Sequence, residues 1–416
     1  MEKEAAMYRK CGFVLLALLF IMPLVSAQTP FEQRFNQMNW NQIVAEAKGQ
    51  TIYYYAWGGS DIINGFINGY FKDRLAQKYG VTLKFVPVTD ATTYVNKVLD
   101  EKQAGKNSGG SVDFVWTNGE NFRTMKQGKL LFGPFAAKLP NFKYYNEAST
   151  AYDFGFPVEG YESPYGAAQV VMEYNSQYVP NPPKTIQELV AWVKKNPGKF
   201  TYPAPPDFTG SVVVRHFFYA NADGIKELMG PLNHTVYDRV AAKTWTMLND
   251  LKPSLWMNGQ TFPESIVKCE DLMSNGDIWI NFEYGPKNAE SRIIKGNYPT
   301  SIKTAVLDTG TIGNTNFLAI SFNSSAKAAA MVACNEILDP EVQYQASLGP
   351  DKGGMDWMTP MDLTKVSKDW ATKFAALPRH PSTLSMKDLN SHKLPEMMSD
   401  WLLQIEKDWQ LNVLQK

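Results

Sequence analysis

The chain has 416 residues, 44% of them hydrophobic, and 41 Lys and Arg side chains balance 41 Asp and Glu side chains. This hydrophobic content is typical of globular proteins, and the length exceeds what one hydrophobic core usually supports, so we expect two lobes. The balanced charge gives no electrostatic reason to expect nucleic acid or an anionic membrane as a partner.

The N-terminal segment has the three parts of a secretory signal peptide. Tyr8-Arg9-Lys10 leads into an apolar run from Phe13 to Val25, which ends at Val25-Ser26-Ala27. A charged start, an apolar run of about 7 to 15 residues and a small-x-small cleavage site are the marks of such a peptide. The run is too short for a membrane-spanning helix of about 20 residues, although an uncleaved anchor is the alternative. We therefore predict removal of residues 1–27, a mature chain beginning at Gln28, and export to the bacterial periplasm.

Apolar strands alternate with amphipathic helices in the first part of the mature chain. The pattern predicts strands at 51–56, 81–86 and 112–116, with helices at 63–75 and 94–99 between them. Because crossovers between parallel strands are right-handed, this order predicts an open, mostly parallel sheet flanked by helices.

The remainder of the chain carries clear helix boundaries. Thr185 and Glu188 form the sequence signature of a capping box, and Asn196-Pro197-Gly198 ends the helix that follows. The other predicted elements are strands at 165–174, 200–202, 278–282 and 317–322, a rigid loop at 203–206, helices at 210–220 and 325–338, and mostly helical structure over 357–416.

Residues that could carry catalysis or bind a metal are few and scattered. The sequence contains no hydrolase, metalloprotease or nucleotide-binding motif, and its four histidines stand far apart. No metal-ligand spacing occurs either. Cys269 and Cys334 fall in predicted helices, where two buried thiols are expected at least as readily as a disulfide. We therefore predict no catalytic residues, no metal site and no cofactor.

Polar and aromatic side chains follow the predicted strands at their C-terminal ends, where open α/β sheets bind ligands. The candidates are Trp57, Gly58, Ser60 and Asp61 after the first strand, and Asn118 and Glu120 after the third. Glycines let a ligand approach the backbone, and Trp57 offers an aromatic face beside the charge of Asp61. A tight turn and ordinary helix caps explain the same residues equally well.

A helix start and a later strand end offer two further sets of candidates. Gly210 and Ser211 open a predicted helix whose free backbone N–H groups could bind a ligand, although any helix start has the same groups. Glu283 and Tyr284 place a carboxylate beside an aromatic ring after the strand at 278–282. Arg215, one turn into the helix, is better explained by a salt bridge than by a position facing a cleft.

Four stretches carry a resemblance to a known family. They are Ser163-Pro164-Tyr165-Gly166-Ala167 with Glu173-Tyr174-Asn175, then 181–189, then 272–280, and finally 316–323 with Ala328-Ala329 and Asp339-Pro340-Glu341. Together they resemble the crossing strands, helix entries and cleft-facing strand of the extracellular solute-binding proteins of bacterial ABC importers. The resemblance is to the two-lobed periplasmic binding protein fold of the second topological type.

The resemblance implies how the chain is divided and where a ligand would lie. Each lobe would be an open, mostly parallel α/β sheet flanked by helices, with hinge-crossing strands between the lobes. Lobe 1 would comprise 28–167 and 318–345, and lobe 2 would comprise 168–317 and 346–416. The ligand would lie in the cleft, where Tyr165, Thr209 and Asn316 join the strand-end candidates.

The resemblance also implies partners. They are a small-molecule solute and an inner-membrane ABC permease with its cytoplasmic ATPase, with no nucleic acid, and the protein itself is expected to be a monomer. Such proteins close by hinge motion, because only the closed state makes contacts from both lobes to the solute.

Aromatic rings next to carboxylates predict the chemistry of the solute. Trp57 beside Asp61, and Tyr284 beside Glu283, suit a desolvated organic cation such as a thiamine-like or polyamine-like solute. An anion held by helix starts is the first alternative. Adjacent tyrosines are typical of the iron-binding relatives, so ferric iron is not expected here.

Two alternatives from other classes remain open. A thiaminase-like enzyme on the same scaffold would need an activated cysteine with a nearby carboxylate base. No cysteine follows the first three predicted strands, where that nucleophile would be expected, and Cys269 and Cys334 fall in predicted helices remote from the strand-end loops. An export chaperone or surface adhesin would show a flat apolar patch in place of a cleft.

Overall fold

The computed structural model describes residues 30–147, 150–355 and 357–416. The predicted signal peptide and Gln28 lie outside these described residues. The chain divides into two compact units, Met1–Met38 and Asn39–Lys416. The described part of the first unit contains one short helix, α1 (Phe31–Phe35). All other elements belong to the second unit.

The strands of the second unit are short except for two. In chain order they are β1 (Thr51–Trp57), β2 (Thr82–Val88), β3 (Phe114–Thr117), β4 (Leu131–Phe132), β5 (Tyr152–Asp153), β6 (Phe156–Pro157), β7 (Glu162–Gln169), β8 (Val171–Asn175), β9 (Ile280–Glu283), β10 (Ile302–Ala305), β11 (Thr311–Ser321) and β12 (Lys393–Leu394).

Helices fill most of the remaining chain. They are α2 (Trp40–Ala47), α3 (Asp61–Phe66), α4 (Lys72–Tyr79), α5 (Thr92–Gln103), α6 (Gly119–Gln127), α7 (Ile186–Lys195), α8 (Phe208–Asn221), α9 (His234–Leu251), α10 (Ile266–Ser274), α11 (Asn288–Ile294), α12 (Lys327–Ile337), α13 (Pro340–Ser347), α14 (Lys368–Ala375), α15 (Met386–Ser391) and α16 (Ser399–Trp409). Two π-helical segments, Ile67–Phe71 and Gln410–Leu414, extend α3 and α16.

The first sheet contains the predicted alternation of strands and helices. Its strand order is β12-β11-β3-β1-β2, and β4 and β7 also pair with β11. β1 pairs in parallel with both β2 and β3, which confirms the predicted start of the fold. The long strand β11 then runs antiparallel to β3 and β7. The sheet therefore combines a parallel half with an antiparallel half.

The second sheet differs from the mostly parallel sheet predicted for this part of the chain. Its order is β10-β8-β9, and both pairings are antiparallel. β9, α11 and β10 do form a crossover unit, but β8 lies between the two strands and runs the opposite way. The position of β8 between β9 and β10 is a long-range pairing that no local pattern records.

The strand predicted at 165–174 is two strands in two different sheets. β7 pairs with β11 in the first sheet, and β8 pairs with β9 and β10 in the second. Val170, between them, donates its N–H to the Ile312 carbonyl at 2.8 Å. The chain therefore crosses from one sheet to the other at this residue, as expected for a crossing strand.

Local signals at the helix ends are largely confirmed. The Thr185 side chain accepts from the Glu188 N–H at 3.1 Å, but the Glu188 carboxylate accepts from Lys184 and not from Thr185. The strand predicted at 200–202 is only a single bridge between Phe200 and Ile280. The segment 357–416 contains α14, α15, α16 and a π segment, with long irregular stretches between them, so it is less helical than predicted.

Helices α7, α8, α9 and α16 share one apolar core with the second sheet. The largest members of this core are Trp401 and Trp409, both fully buried. Their indole N–H groups donate to the Gly230 carbonyl at 3.0 Å and to the Tyr202 hydroxyl at 3.1 Å. These bonds anchor α16 to the elements around the second sheet.

Cys269 in α10 and Cys334 in α12 are buried, free thiols. Burial raises the pKa of each thiol. Of the alternatives open at the sequence level, the structure favours two buried thiols.

Helix length and hydropathy bear on membrane insertion. In the three described ranges, no helix is both long enough and apolar enough to cross a membrane.

Close approach at the crossing strand gives a stability prediction. A methyl group at Gly166 would overlap the indole nitrogen of Trp357. Because overpacking a buried site costs about 1–3 kcal/mol, we expect Gly166→Ala to lower the thermal midpoint by several degrees. Circular dichroism melts would measure it. Gly65→Ala, in α3 with nothing near the added methyl, is the control and should leave the midpoint unchanged or raised. Equal midpoints for Gly166→Ala and the wild type would contradict this packing.

Candidate functional site

Residues around both sheets meet at one junction. The end of β1, the start of α6 and the β5–β6 hairpin come from the side of the first sheet. The start of α8, the helices α10 and α11, and the end of β9 come from the side of the second sheet. The Trp57 side chain packs against an apolar cluster whose members include Cys269 of α10 and Ala289 of α11. The Phe154 ring of the hairpin packs against the Phe208 ring of α8 at 5.9 Å.

The polar groups of the loop after β1 are largely used in hydrogen bonds that form the turn and cap the following helix. The Gly58 N–H donates to the Val88 carbonyl at 2.9 Å, and the Gly58 carbonyl accepts from Asn64 at 2.8 Å. The Ser60 hydroxyl accepts from the Ile63 N–H at 3.4 Å and caps α3. Asp61 is exposed in the first turn of that helix. Of the four candidates in this loop, Trp57 alone reaches the residues around the second sheet.

Asn118 is held by hydrogen bonds on both sides of its amide. Its nitrogen donates to the Thr315 carbonyl at 2.7 Å and to Asp153 at 3.3 Å, and its oxygen accepts from the Trp116 indole at 3.0 Å. The Asp153 carboxylate also accepts from the Gly119 N–H at 2.6 Å. Asn118 therefore fixes the start of α6 and has no free donor for a ligand.

Glu120 has an oxygen without a partner. One carboxylate oxygen accepts from the Asn121 amide at 3.0 Å, and the other is buried with no hydrogen bond. Burial raises the pKa of Glu120, and the positive charge of Arg215 opposes that rise. Burial raises the pKa of Glu406 in α16 to about 7, and the negative charge of Glu120 adds to this rise. A carboxylate left in this state is costly unless a donor or a proton reaches it.

The start of α8 is capped internally, which removes the free N–H groups expected there. The Asp207 carboxylate accepts from the Thr209 and Gly210 N–H groups at 2.9 Å each. The Ser211 N–H donates to the Asp207 carbonyl at 2.8 Å. Thr209 and Ser211 are themselves buried. The anion-binding alternative therefore loses the donors on which it depended at this helix.

Arg215 forms the salt bridge that the sequence favoured. Its guanidinium pairs with Glu396 and donates to the Tyr284 hydroxyl at 3.1 Å. The Tyr284 hydroxyl in turn donates to Glu396 at 2.7 Å, and Asn314 donates to the same carboxylate at 3.2 Å. All four side chains are buried. The Tyr284 hydroxyl therefore both accepts and donates within this network and is not available to a ligand.

Aromatic rings at the junction include three that the sequence did not single out. Phe208 lies 5.0 Å from the Tyr284 ring and is 41% exposed, although it is a large apolar side chain. Phe154 lies beneath the Arg215 guanidinium at 5.6 Å. Trp357 packs at 5.3 Å from the rings of both Trp116 and Tyr165. A single aromatic residue in a loop carries no local signal, so only contacts identify these three.

Tyr165 and Asn316 lie on the paired crossing strands. Both are buried, and a bulge interrupts the pairing of β7 with β11 next to Asn316. Tyr165 and Tyr54 line a cavity of about 10 Å³, which is roughly the space of one water molecule. A much larger open groove of about 1020 Å³ lies along α9 and residues 412–416, and it contains none of the predicted site residues.

Glu283 is the second carboxylate at the junction with an unpaired oxygen. One oxygen accepts from the Gly285 N–H at 3.2 Å, and the other is buried without a partner. Burial raises its pKa well above the usual value, and the charges of Glu270 and Glu173 add to the rise. Within the described residues, no group of three or more His, Cys, Asp or Glu side chains is arranged to hold a metal ion.

Comparison with known proteins identifies relatives over nearly the whole chain. A family model described as bacterial extracellular solute-binding protein matches residues 70–375. Protein YnjB of Escherichia coli (strain K12) is 32% identical over 406 residues, which is 96% of this chain and 98% of that protein.

Solved structures with the same fold come from several proteins. AfuA, a periplasmic binding protein of Actinobacillus pleuropneumoniae with bound fructose-6-phosphate, aligns with a TM-score of 0.61 at 13% identity, covering 88% of this chain and 98% of that chain. PotD, a spermidine/putrescine substrate-binding protein of Streptococcus pneumoniae, aligns with a TM-score of 0.58 at 14% identity, covering 86% and 99%. A periplasmic thiamin binding protein aligns with a TM-score of 0.59 at 14% identity, covering 87% and 96%. At these identities the likenesses show the fold alone.

Proposed function

Because the chain belongs to the bacterial extracellular solute-binding proteins and has the two-lobed periplasmic binding protein fold of the second type, we propose that it captures a small cationic organic solute between its lobes. Binding proteins of this family deliver small-molecule solutes to ABC permeases. Here the receiver would be an inner-membrane permease with its cytoplasmic ATPase. The protein acts as a monomer in the periplasm after loss of residues 1–27.

The observation that carries the cationic solute is the pair of buried, unpartnered carboxylate oxygens on Glu120 and Glu283. One lies on the side of the first sheet and the other on the side of the second. A buried carboxylate oxygen without a donor costs free energy, and an ammonium or similar cation removes that cost. The exposed ring of Phe208 and the ring of Trp57 add aromatic faces that attract cations.

The other predicted residues take supporting roles in this proposal. The main-chain groups of Gly58, the hydroxyl of Ser60 and the amide of Asn118 hold the loops at the ends of β1 and β3. Asp61 would contact solute only at the rim, since it is exposed. The walls behind the ligand are formed by the buried residues Thr209, Ser211, Tyr284, Tyr165 and Asn316. The lobe boundaries, 28–167 with 318–345 and 168–317 with 346–416, stay part of the proposal.

A binding role is favoured over the thiaminase-like alternative by the state of the thiols. A cysteine nucleophile must be a thiolate, and burial raises the pKa of both Cys269 and Cys334. Each thiol is fully buried in the body of a helix. The raised thiol pKa values therefore favour a binding role over nucleophilic attack by either cysteine.

A thermal-shift panel on the ligand-stripped mature protein tests the proposed function. We expect thiamine or polyamines to raise the midpoint, and fructose-6-phosphate, sugars and oxyanions to leave it unchanged. A ligand at about a hundred times its dissociation constant adds roughly 2.7 kcal/mol, which is several degrees. Glu120→Gln should reduce the shift, whereas Glu264→Gln, an exposed residue, should not. A panel in which only anions raise the midpoint would contradict the cationic solute.

A further inference from the structure

Three glutamates from three elements converge on one face of the second sheet. Glu173 of β8 lies directly opposite Asn281 of β9. Glu283 lies two residues beyond Asn281, on the same face, because side chains alternate along a strand. Glu270 reaches them from α10, since its amide partner Asn288 donates both to Glu270 at 2.9 Å and to Glu173 at 3.0 Å. We call Glu173, Glu270 and Glu283 the acidic cluster.

The hydrogen bonds of the acidic cluster are complete at its base and incomplete at its outer end. Glu173 is fully buried and accepts from Asn281 at 3.2 Å and from Tyr298 at 3.0 Å, besides Asn288. Glu270 accepts from Asn288 and pairs with Arg292. Glu283 is partly exposed and keeps one oxygen without a donor. The carboxylate oxygen without a hydrogen-bond donor therefore belongs to Glu283, the member of the cluster nearest the junction.

A second, independent group on the same face of the sheet also lacks a hydrogen-bond donor. The Asn281 side chain is fully buried, and its nitrogen donates to Glu173. Its oxygen has no hydrogen-bond partner. An amide oxygen is neutral and cannot be satisfied by losing or gaining a proton at neutral pH, so it requires a donor. The side-chain oxygens of Asn281 and Glu283 thus both lack a donor, and the carboxylates make a positively charged donor the favoured partner.

The charge of the cluster leads to the same conclusion. Arg292 is the cation that pairs within it, and the other titratable groups facing its members are Cys269, Asp271 and Tyr298. Three carboxylates therefore face one guanidinium in a buried setting. Burial raises the pKa of Glu173 and of Glu283, and the neighbouring carboxylates add to both shifts. Without a further cation, the cluster is stable only if it retains protons.

Aromatic residues lie next to the acidic cluster. Trp57 packs against an apolar group that includes Cys269 and Tyr298, and Tyr298 bonds to Glu173. The Arg292 guanidinium covers the Tyr298 ring at 5.2 Å. Trp57 therefore joins the end of β1 to the apolar residues beside the acidic cluster.

We propose that the acidic cluster holds an ammonium group of the solute, contacted first by Glu283, and that this group displaces a proton which the cluster retains when empty. The displaced proton passes to solvent, so the cluster exchanges one positive charge for another. The inference rests on the proposed function and deepens it, because it names a protonated amine, which carries N–H donors, as the end of the solute that enters. It also adds Glu173, Glu270 and Asn281 to the residues that recognise it.

Calorimetric titration of the full mature protein with putrescine and with thiamine tests the exchange. Titrations at pH 6, 7 and 8, each in two buffers of different ionisation enthalpy, count the protons released. We expect about one proton per bound cation and an affinity that rises up to roughly tenfold per pH unit while the cluster is protonated. Glu283→Gln should abolish the release and lower the affinity at pH 8 at least roughly tenfold. Glu264→Gln should behave as the wild type. Binding without proton release overturns the inference while the proposed function stands. Binding unchanged by Glu283→Gln overturns the inference and also removes Glu283 from the proposed site, which would then rest on Glu120 alone.

A measurement without ligand separates the two proposals further. A raised carboxyl pKa means that the folded state holds more protons, so stability falls as pH rises through the shifted pKa. We therefore expect the thermal midpoint of the empty protein to fall between pH 6 and pH 9, and to fall less in Glu283→Gln. If that profile holds but neither putrescine nor thiamine binds, the cluster is a proton store and the cation site is overturned. If neither the profile nor cation binding is found, both proposals fail.

Discussion

Replacing Arg215 with methionine should cost about 3–5 kcal/mol of stability, which is the usual penalty for removing one partner of a buried ion pair. Arg215 is fully buried, and Glu396, its partner, is only 9% exposed. In the variant, the Glu396 carboxylate would keep bonds from Tyr284 and Asn314 but lose its counter-ion. Urea unfolding of the variant and the wild type measures the loss.

The double variant Arg215→Met/Glu396→Met tests whether the loss in Arg215→Met comes from the buried charge that remains. With both charges gone, no uncompensated charge is buried, so we expect it to be more stable than Arg215→Met alone. Arg239→Met is the matched control, since Arg239 pairs with Asp223 and Glu227 near the surface and should lose little. An Arg215→Met protein as stable as the Arg239→Met protein would show that the buried network contributes nothing to the fold.

The same network connects stability with the proposed site. It ties α8 and the end of β9 to the segment before α16 through Arg215, Tyr284 and Glu396. Because Tyr284 follows Glu283 directly, loosening its hydroxyl should also disturb the acidic cluster. We therefore expect variants of Arg215 that still fold to bind cations more weakly.

Acid should destabilise the protein through His216, the second large effect. His216 bridges α8 and β11: one ring nitrogen bonds the Val212 carbonyl at 2.7 Å, and the other accepts from the Ile312 N–H at 3.1 Å. This arrangement requires a neutral ring. Burial lowers the pKa of His216 to about 4, the Val212 bond opposes the shift, and the charge of Arg215 adds to it.

The sign of the effect follows from where the proton binds. In the unfolded chain the ring takes a proton near its usual pKa of about 6.5, before the folded protein does. Stability is therefore complete above that pH and is lost as pH falls toward 4, by up to about 3 kcal/mol. His216→Gln cannot titrate, so its urea midpoint should depend less on pH over this range. Parallel profiles for the two proteins would contradict the bridge. Comparison of the two isolates His216, because the acidic cluster contributes with the opposite sign in both.

Local periodicity and caps in the sequence determined much of the fold. The alternation from Thr51 to Trp116 placed three strands and their helices, and Thr185 marked a helix start that the structure confirms. These features depend on residues a few positions apart, so they are readable along the chain. The resemblance carried by the crossing strands extended the prediction to the family, which the comparisons confirm.

Long-range pairing decided the rest. The chain leaves the first sheet at Val170, and β8 then inserts between β9 and β10, which makes the second sheet antiparallel. The same insertion brings Glu173 beside Asn281. Of the three glutamates in the acidic cluster, the sequence predicted only Glu283 as a site residue. Asn118 and Tyr284 both lie at the junction, but their polar atoms are occupied by Thr315 and Glu396. A residue's type shows which bonds it can form, while only the tertiary structure shows which partner has already taken them, because those partners lie tens to hundreds of residues away.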